Sequence, residues 1–154
     1  MIDRPVMLVT GSRKGIGRFL VEHYLAKGYL VEGCSRGESD LKDSSYHHHS
    51  VDVAEERPVR SMIADITKRH GRIDVVLNNA AIASMNHILL TPAASANRML
   101  QVNVTGTMLV CRDSAKVMIR RRYGLPIDPI PSATRLSIPV SDDDRSDAEI
   151  RWLS

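Results

Sequence analysis

Apolar positions along this chain follow two rhythms that alternate. Val6-Met7-Leu8-Val9 is a short unbroken apolar run, as expected of a strand buried on both faces. Ile16, Phe19, Leu20, His23, Tyr24 and Lys27 then recur at helical spacing, and Gly28 offers a helix stop. Tyr29-Leu30-Val31 predicts a second strand, and Ser50-Val51-Asp52-Val53 the end of a third, with a polar loop before it. Val59, Met62, Ile63 and Ile66 lie at i, i+3, i+4 and i+7. Pro58 falls in the first turn of that helix, where its missing N–H costs nothing. Ile73-Asp74-Val75-Val76-Leu77 predicts a fourth strand, and a long helix runs from about Ala94 to Arg122.

Strands alternating with helices imply βαβ units, hence an α/β fold on a parallel sheet. After Gly124 the pattern dissolves. Pro126, Pro129, Pro131 and Pro139 exclude a central strand there, and residues 137–154 leave room for one short helix. Charge changes at the same place: residues 1–124 carry a net +6 and residues 125–154 a net −3. The expected division is a domain over 1–124 and an atypical Pro/Asp-rich tail over 125–154.

Other features narrow the function classes. The 154 residues are 43% apolar and 25% charged, ordinary for one globular domain. No apolar run reaches the ~18 residues of a membrane span. Asp3, Arg4 and Pro5 interrupt any signal peptide. Cys34 and Cys111 lack metal-ligand spacing and read as reduced thiols in a cytoplasmic protein. Aromatics at 4% leave little surface for stacking nucleic-acid bases. His47-His48-His49 reads as a surface run and not as a metal site, because no Cys or further His lies at ligand spacing. Arg120-Arg121-Arg122 suits the negative end of a helix dipole.

Between the first strand and the first helix stands Thr10-Gly11-Ser12-Arg13-Lys14-Gly15-Ile16-Gly17. A strand that turns directly into a helix exposes the free N–H groups of the first turn, which attract phosphate. Glycine is required where a pyrophosphate must approach the backbone. This T-G-x-x-x-G-x-G spacing resembles that of the short-chain dehydrogenase/reductase family. Asp52-Val53 resembles the family's adenine-side acidic position. Asn79-Ala80-Ala81, after Asn78, resembles its N-N-A-G motif with alanine for glycine. Asn103, within Val102-Asn103-Val104-Thr105-Gly106, matches the asparagine of its catalytic set. The resemblance covers roughly residues 5–124. It implies a Rossmann-like doubly wound sheet of order 3-2-1-4 whose later strands are missing, leaving the fourth strand as an exposed edge.

The resemblance also implies a nicotinamide cofactor held by Thr10 through Gly17, Ser35, Arg36, Asp52, Val53, Asn79, Ala80 and Ala81, with Asn103 as the catalytic residue. NADP(H) is expected over NAD(H). An acidic residue after the second strand selects NAD, whereas here Ser35 and Arg36 stand there and Arg13 and Lys14 flank them. The family's reaction is hydride transfer between nicotinamide and a carbonyl or alcohol substrate. Its tyrosine general acid/base has a lysine four residues later. Tyr24, Tyr29, Tyr46 and Tyr123 are followed at that distance by Gly28, Gly33, Ser50 and Ile127. The catalytic tyrosine, lysine and serine are therefore absent. Three readings stay open: an oxidoreductase by descent, an inactive NADP(H)-binding or dimerising remnant of a frameshifted or divergent gene, or a folding-compromised remnant with no function. Homo-oligomer contacts through the long helix are implied as well.

Overall fold

Every residue of Val6–Thr10 is buried, and this run forms β1, the middle strand of a five-stranded parallel sheet. The computed structural model describes residues 4–84, 87–120 and 149–152. On one side of β1 lie β2 (Leu30–Ser35) and β3 (Tyr46–Ser50); on the other lie β4 (Val75–Asn78) and β5 (Glu149–Trp152). The helices are α1 (Gly15–Ala26), α2 (Glu56–His70), α3 (Ala93–Leu100) and α4 (Thr107–Arg120). A π-helical segment, Gln101–Gly106, joins α3 to α4. The expected long helix thus exists with a wider turn in its middle.

The two faces of the sheet explain the unbroken apolar run in β1. Val6, Leu8, Cys34 and Val76 pack with Val59, Met62, Ile63 and Ile66 of α2 and with Leu109, Val110 and Met118 of α4. Met7, Val9, Val31 and Leu77 point the other way, against Leu20, Val21 and Tyr24 of α1. Both faces are covered, so neither can be polar. Each such side chain contributes about 1.5–3 kcal/mol by leaving water. The order β3-β2-β1-β4 contains the expected arrangement, and the chain switches sides of β1 between β3 and β4.

Two expectations change. The third strand is Tyr46–Ser50, in residues expected to be loop, and not Ser50–Val53. An edge strand does not need an apolar pattern when polar contacts hold it. The Tyr46 hydroxyl meets His48 Nδ1 at 2.8 Å on one face, and His49 Nε2 meets Glu32 at 2.7 Å on the other. The second change is β5, a strand where a short helix was expected. It pairs with β4 from Val75↔Glu149 to Asn78↔Trp152, so β4 is not an open edge. Pairing satisfies the row of N–H and C=O groups that an apolar edge would leave exposed. The remainder of the proline-rich tail and the end of the long helix beyond Arg120 lie outside the described residues.

One charge sits inside the sheet. Glu32, on β2, is 1% exposed. Arg69 donates to its two oxygens at 2.7 and 2.9 Å, and His49 and His70 approach at 2.7 and 2.6 Å. Burial alone pushes this carboxyl up. The hydrogen bonds from His49, Arg69 and His70 outweigh it, and the carboxyl sits at about 2. A depressed carboxyl contributes stability above its unfolded value, about 4.5, and that contribution is lost as pH falls toward 2. We expect the urea midpoint to drop steeply across that window in the native chain. Glu32→Gln should be less stable at neutral pH by roughly 3 kcal/mol and should show a flatter acid limb. Equal acid limbs in the two proteins would show that Glu32 does not govern acid sensitivity.

Candidate functional site

The turn from β1 into α1 is built by three glycines with different jobs. Gly11 and Gly15 take φ of +68° and +58°, where a side chain is strained. A Cβ on Gly17 would come within 2.1 Å of the Gly11 carbonyl oxygen and 2.5 Å of Asn79 Nδ2. Gly17 therefore sets how closely α1 approaches the sheet. Above Gly15 the space is open, with nothing within 4 Å of a Cβ there. The N-cap of α1, Lys14, makes no side-chain cap, and the first turn holds no acidic residue. The first-turn amides and the positive end of the helix dipole are thus left for an anion.

This helix start opens on a cleft of about 440 Å³ at the C-terminal ends of β1, β2 and β4. In open parallel sheets ligands bind at this position, where the strand order reverses. Of the residues expected to hold a cofactor, Gly11, Arg13, Lys14, Gly15, Ile16, Gly17, Ser35, Arg36, Asp52, Val53, Asn79, Ala80 and Ala81 all line it. Thr10 and Ser12 do not; both are buried behind it. The Thr10 hydroxyl accepts the Asn79 and Ala80 N–H groups at 3.0 and 2.9 Å and donates to the Leu77 carbonyl at 3.4 Å. Asn79 Nδ2 in turn donates to the carbonyls of Thr10 and Gly11 at 3.0 and 3.3 Å. The ends of β1 and β4 are stitched together by side chains. Ser12 ties the turn to β2 through both its backbone and its side chain: its N–H donates to the Cys34 carbonyl at 3.1 Å and its hydroxyl to the same carbonyl at 3.4 Å.

The cleft's electrostatics are set by exposed cations at one end. Arg13, Lys14 and Arg36 are exposed, and none has a carboxylate partner among the described residues. The Arg13 guanidinium lies beside Gly37, 3.2 Å from where a Cβ would stand, so glycine there gives it room. Asp52 lines the cleft, but its carboxylate is already engaged by Arg98 and by the Ala54 N–H at 3.0 Å. Arg98 is a residue that the sequence did not mark. Its partner lies 46 positions away, and only the fold brings α3 against the loop after β3.

Asn103 is exposed and does not line the cleft. Its side-chain oxygen accepts the Ile82 N–H at 2.9 Å and its amide donates to the Ile82 carbonyl at 2.8 Å. The carboxamide clamps the loop that follows β4. Ile82 itself borders both the main cleft and a smaller neighbouring hollow shared with Ala94, Ser95, Arg98 and Met99. Asn103 sits in the π-helical segment, a wide turn that often marks functional sites. Gly106 ends that segment, and a Cβ there would come within 2.8 Å of Val53. The residues missed from sequence, Ile82 and Arg98, had no motif to announce them.

Residues 5–128 match the family model described as short chain dehydrogenase. The chain belongs to this family. An uncharacterised oxidoreductase of Thermotoga maritima is 31% identical over 137 residues, which are 83% of this chain and 54% of that protein. The structure of ElxO with NADP bound is 27% identical, with a TM-score of 0.74 over 80% of this chain and 48–60% of such neighbours' chains, 54% in its own case. A short chain dehydrogenase from Leptospira borgpetersenii with bound NAD+ has a TM-score of 0.75 over 80% of this chain and 50% of that chain. At 18% identity it shows the fold alone. The chain spans about half the length of the curated relatives it matches. No helix among the described residues is long and apolar enough to cross a membrane.

The stitching at Thr10 can be removed with little change of shape. Thr10→Val leaves the Asn79 and Ala80 N–H groups without their acceptor. A buried unpaired donor costs about 1–3 kcal/mol, and these two, half-buried, fall at the lower end. We expect a fall in the urea midpoint equivalent to at least about 2 kcal/mol with an unchanged slope. A midpoint within error of the native one would show that the β1–β4 junction is held by packing instead.

Proposed function

We propose that the cleft binds NADP(H), and that the chain belongs to an oxidoreductase acting on a small carbonyl or alcohol. The observation that carries this reading is the convergence on one cleft of an uncapped helix start and three cations that have no carboxylate partner among the described residues. The α1 amides at Gly15, Ile16 and Gly17 suit the pyrophosphate, where open space stands over Gly15. Arg13, Lys14 and Arg36 suit the phosphate that distinguishes NADP from NAD, through charge-assisted hydrogen bonds. Asp52 and Val53 would border the adenine, with Arg98 fixing the Asp52 carboxylate. Asn79, Ala80 and Ala81 would border the nicotinamide ribose, and Thr10 and Ser12 support the loop from behind. The cofactor supplies or takes the hydride. Asn103 acts by holding Ile82 at the reacting end of the cleft. ElxO, which resembles this chain, carries NADP.

A second reading is favoured by one feature of the sequence. No tyrosine in the chain has a lysine four residues later. These 154 residues would then hold the cofactor without turning it over. In the described residues Leu100, Val104 and Met108, spaced i, i+4, i+8, are exposed on the outer side of the long helix, and we propose this stripe as a contact with a second copy. A cytoplasmic setting suits the free thiols. Burial pushes Cys34 up to about 12 and Cys111 up to about 11, so neither is a reactive thiolate.

Titration of the purified chain with NADPH and NADH, followed by cofactor fluorescence, tests the assignment. NADPH should bind at least about tenfold tighter than NADH. Arg13→Ala and Arg36→Ala should each weaken NADPH about tenfold and leave NADH unchanged. Equal affinities in the native chain would overturn the preference, and no binding of either would overturn the reading. Oxidation of NADPH against a panel of aldehydes and ketones then separates turnover from binding alone.

A further inference from the structure

On strands β2 and β3, two residues before the cleft-lining Cys34 and Val51, the parallel register builds a second polar group. Glu32 stands directly opposite His47, and His49 lies two residues further along the same face. The face is the one covered by α2, whose last turn brings Arg69 and His70 to the Glu32 carboxylate. One donor atom from each of Glu32, His47 and His49 lies within 4.8 Å of the others. The rings of His47 and His49 are 4.8 Å apart, centre to centre.

We propose that Glu32, His47 and His49 form a binding site for a divalent transition-metal ion of the zinc class. Two imidazoles and one carboxylate are the donor set that zinc takes when one coordination position is left open. Donor atoms around a tetrahedral zinc stand roughly 3.3 Å apart, given ~2.0–2.1 Å bonds. Small side-chain movements on two adjacent strands reach that spacing. The site is closed at Glu32, whose side chain is 2% exposed, and open at His47, which is exposed, so an ion has an entry path.

The group already holds a cation. Arg69 occupies both oxygens of Glu32, and its side chain is 38% exposed, so it can withdraw to solvent. Substituting a metal for the guanidinium keeps the buried carboxylate neutralised and adds bonds to two imidazoles. His49 Nε2 faces the Glu32 carboxylate and therefore carries a proton now. On metal binding that proton leaves Nε2, for Nδ1 or for solvent, and the freed lone pair makes the bond. His70, at 2.6 Å from the other Glu32 oxygen, is placed to orient the carboxylate from behind the ion. The negative end of α2 points at the same place and favours positive charge.

The test uses the full chain without an oligohistidine tag, stripped with chelator and titrated with Zn2+ by calorimetry, with Co2+ as a spectroscopic substitute. One Zn2+ per chain should bind and raise the melting midpoint. Co2+ should give the intense visible bands of a four- or five-coordinate site. His47→Ala and His49→Ala, both on an edge strand, should each weaken Zn2+ by at least about tenfold, as loss of a ligand requires. Arg69→Ala should tighten it, because a competitor for the same carboxylate is gone. Adventitious binding by scattered surface histidines predicts none of this sensitivity to Arg69. The proposal is overturned by the absence of a one-to-one complex. It is equally overturned if the His47→Ala/His49→Ala double variant, folded by circular dichroism, binds Zn2+ as the native chain does.

Discussion

The distance between α1 and the sheet is the constraint on which the cleft depends. At Gly17 that distance leaves no room for a methyl group, because the Gly11 carbonyl oxygen and the Asn79 amide already fill the space. Asn79 is held there by donating to Thr10 and Gly11, and Thr10 in turn accepts from Asn79 and Ala80. Helix, turn and two strand ends are thus one hydrogen-bonded unit. Its consequence is chemical. Because α1 starts so near the strand ends, its uncapped amides open directly on the cleft between β1 and β4, where two crossovers diverge. A looser junction would move the anion-binding end of the helix away from the cations that flank it.

Behind this unit, β3 acts as a polar brace. The Gly37 carbonyl accepts from His48 Nε2 at 2.9 Å, so that nitrogen carries the proton and, in the neutral ring, Nδ1 accepts from the Tyr46 hydroxyl. Ser35 also donates to the Gly37 carbonyl, at 2.7 Å. The same Tyr46 hydroxyl lies 3.2 Å from Ser12 Oγ. Both loops that frame the proposed phosphate end, the one after β1 and the one after β2, therefore rest on Tyr46 and His48. Gly33 belongs to this arrangement: a Cβ there would strike the Tyr46 hydroxyl at 2.4 Å and Ser12 Oγ at 2.5 Å. A strand of Tyr-His-His-His-Ser looks like loop in sequence because its work is hydrogen bonding on both faces, not burial of apolar area.

That difference marks what the sequence could and could not reveal. Elements that bury apolar side chains write their period into the chain, so β1, β4, α1 and α2 were legible; the strand order was implied only by the family resemblance. The glycine turn was legible because steric demands at Gly11, Gly15 and Gly17 are local. Residues whose partners are remote in sequence were not. Arg98 meets Asp52, Asn103 clamps Ile82, and Glu32 gathers Arg69 and His70 from 37 and 38 positions away. The three histidines were visible, but the buried carboxylate that completes their group is disclosed only by the register of β2 against β3. The strand β5 was hidden for another reason: its neighbours in sequence are proline-rich and acidic, and its pairing with β4 is made by backbone groups, which leave no side-chain signature.

The two ends of the cleft differ in how they are held, and this bears on what the chain can do. The proposed phosphate end is fixed by glycine sterics, by backbone-to-side-chain bonds from three strands and by the braced loops. The opposite end rests on the segment after β4, where Ala81 is exposed and Ile82 is partly exposed. Both backbone polar groups of Ile82 are bonded to one side chain, Asn103. Asn103 owes its position to a π-helical turn, which spaces residues more widely than an α-helix and lets Gly106 press against Val53. A carboxamide can satisfy an N–H and a C=O at once, which neither a carboxylate nor an amine can do. The asparagine is therefore explained by geometry before any proton transfer is considered.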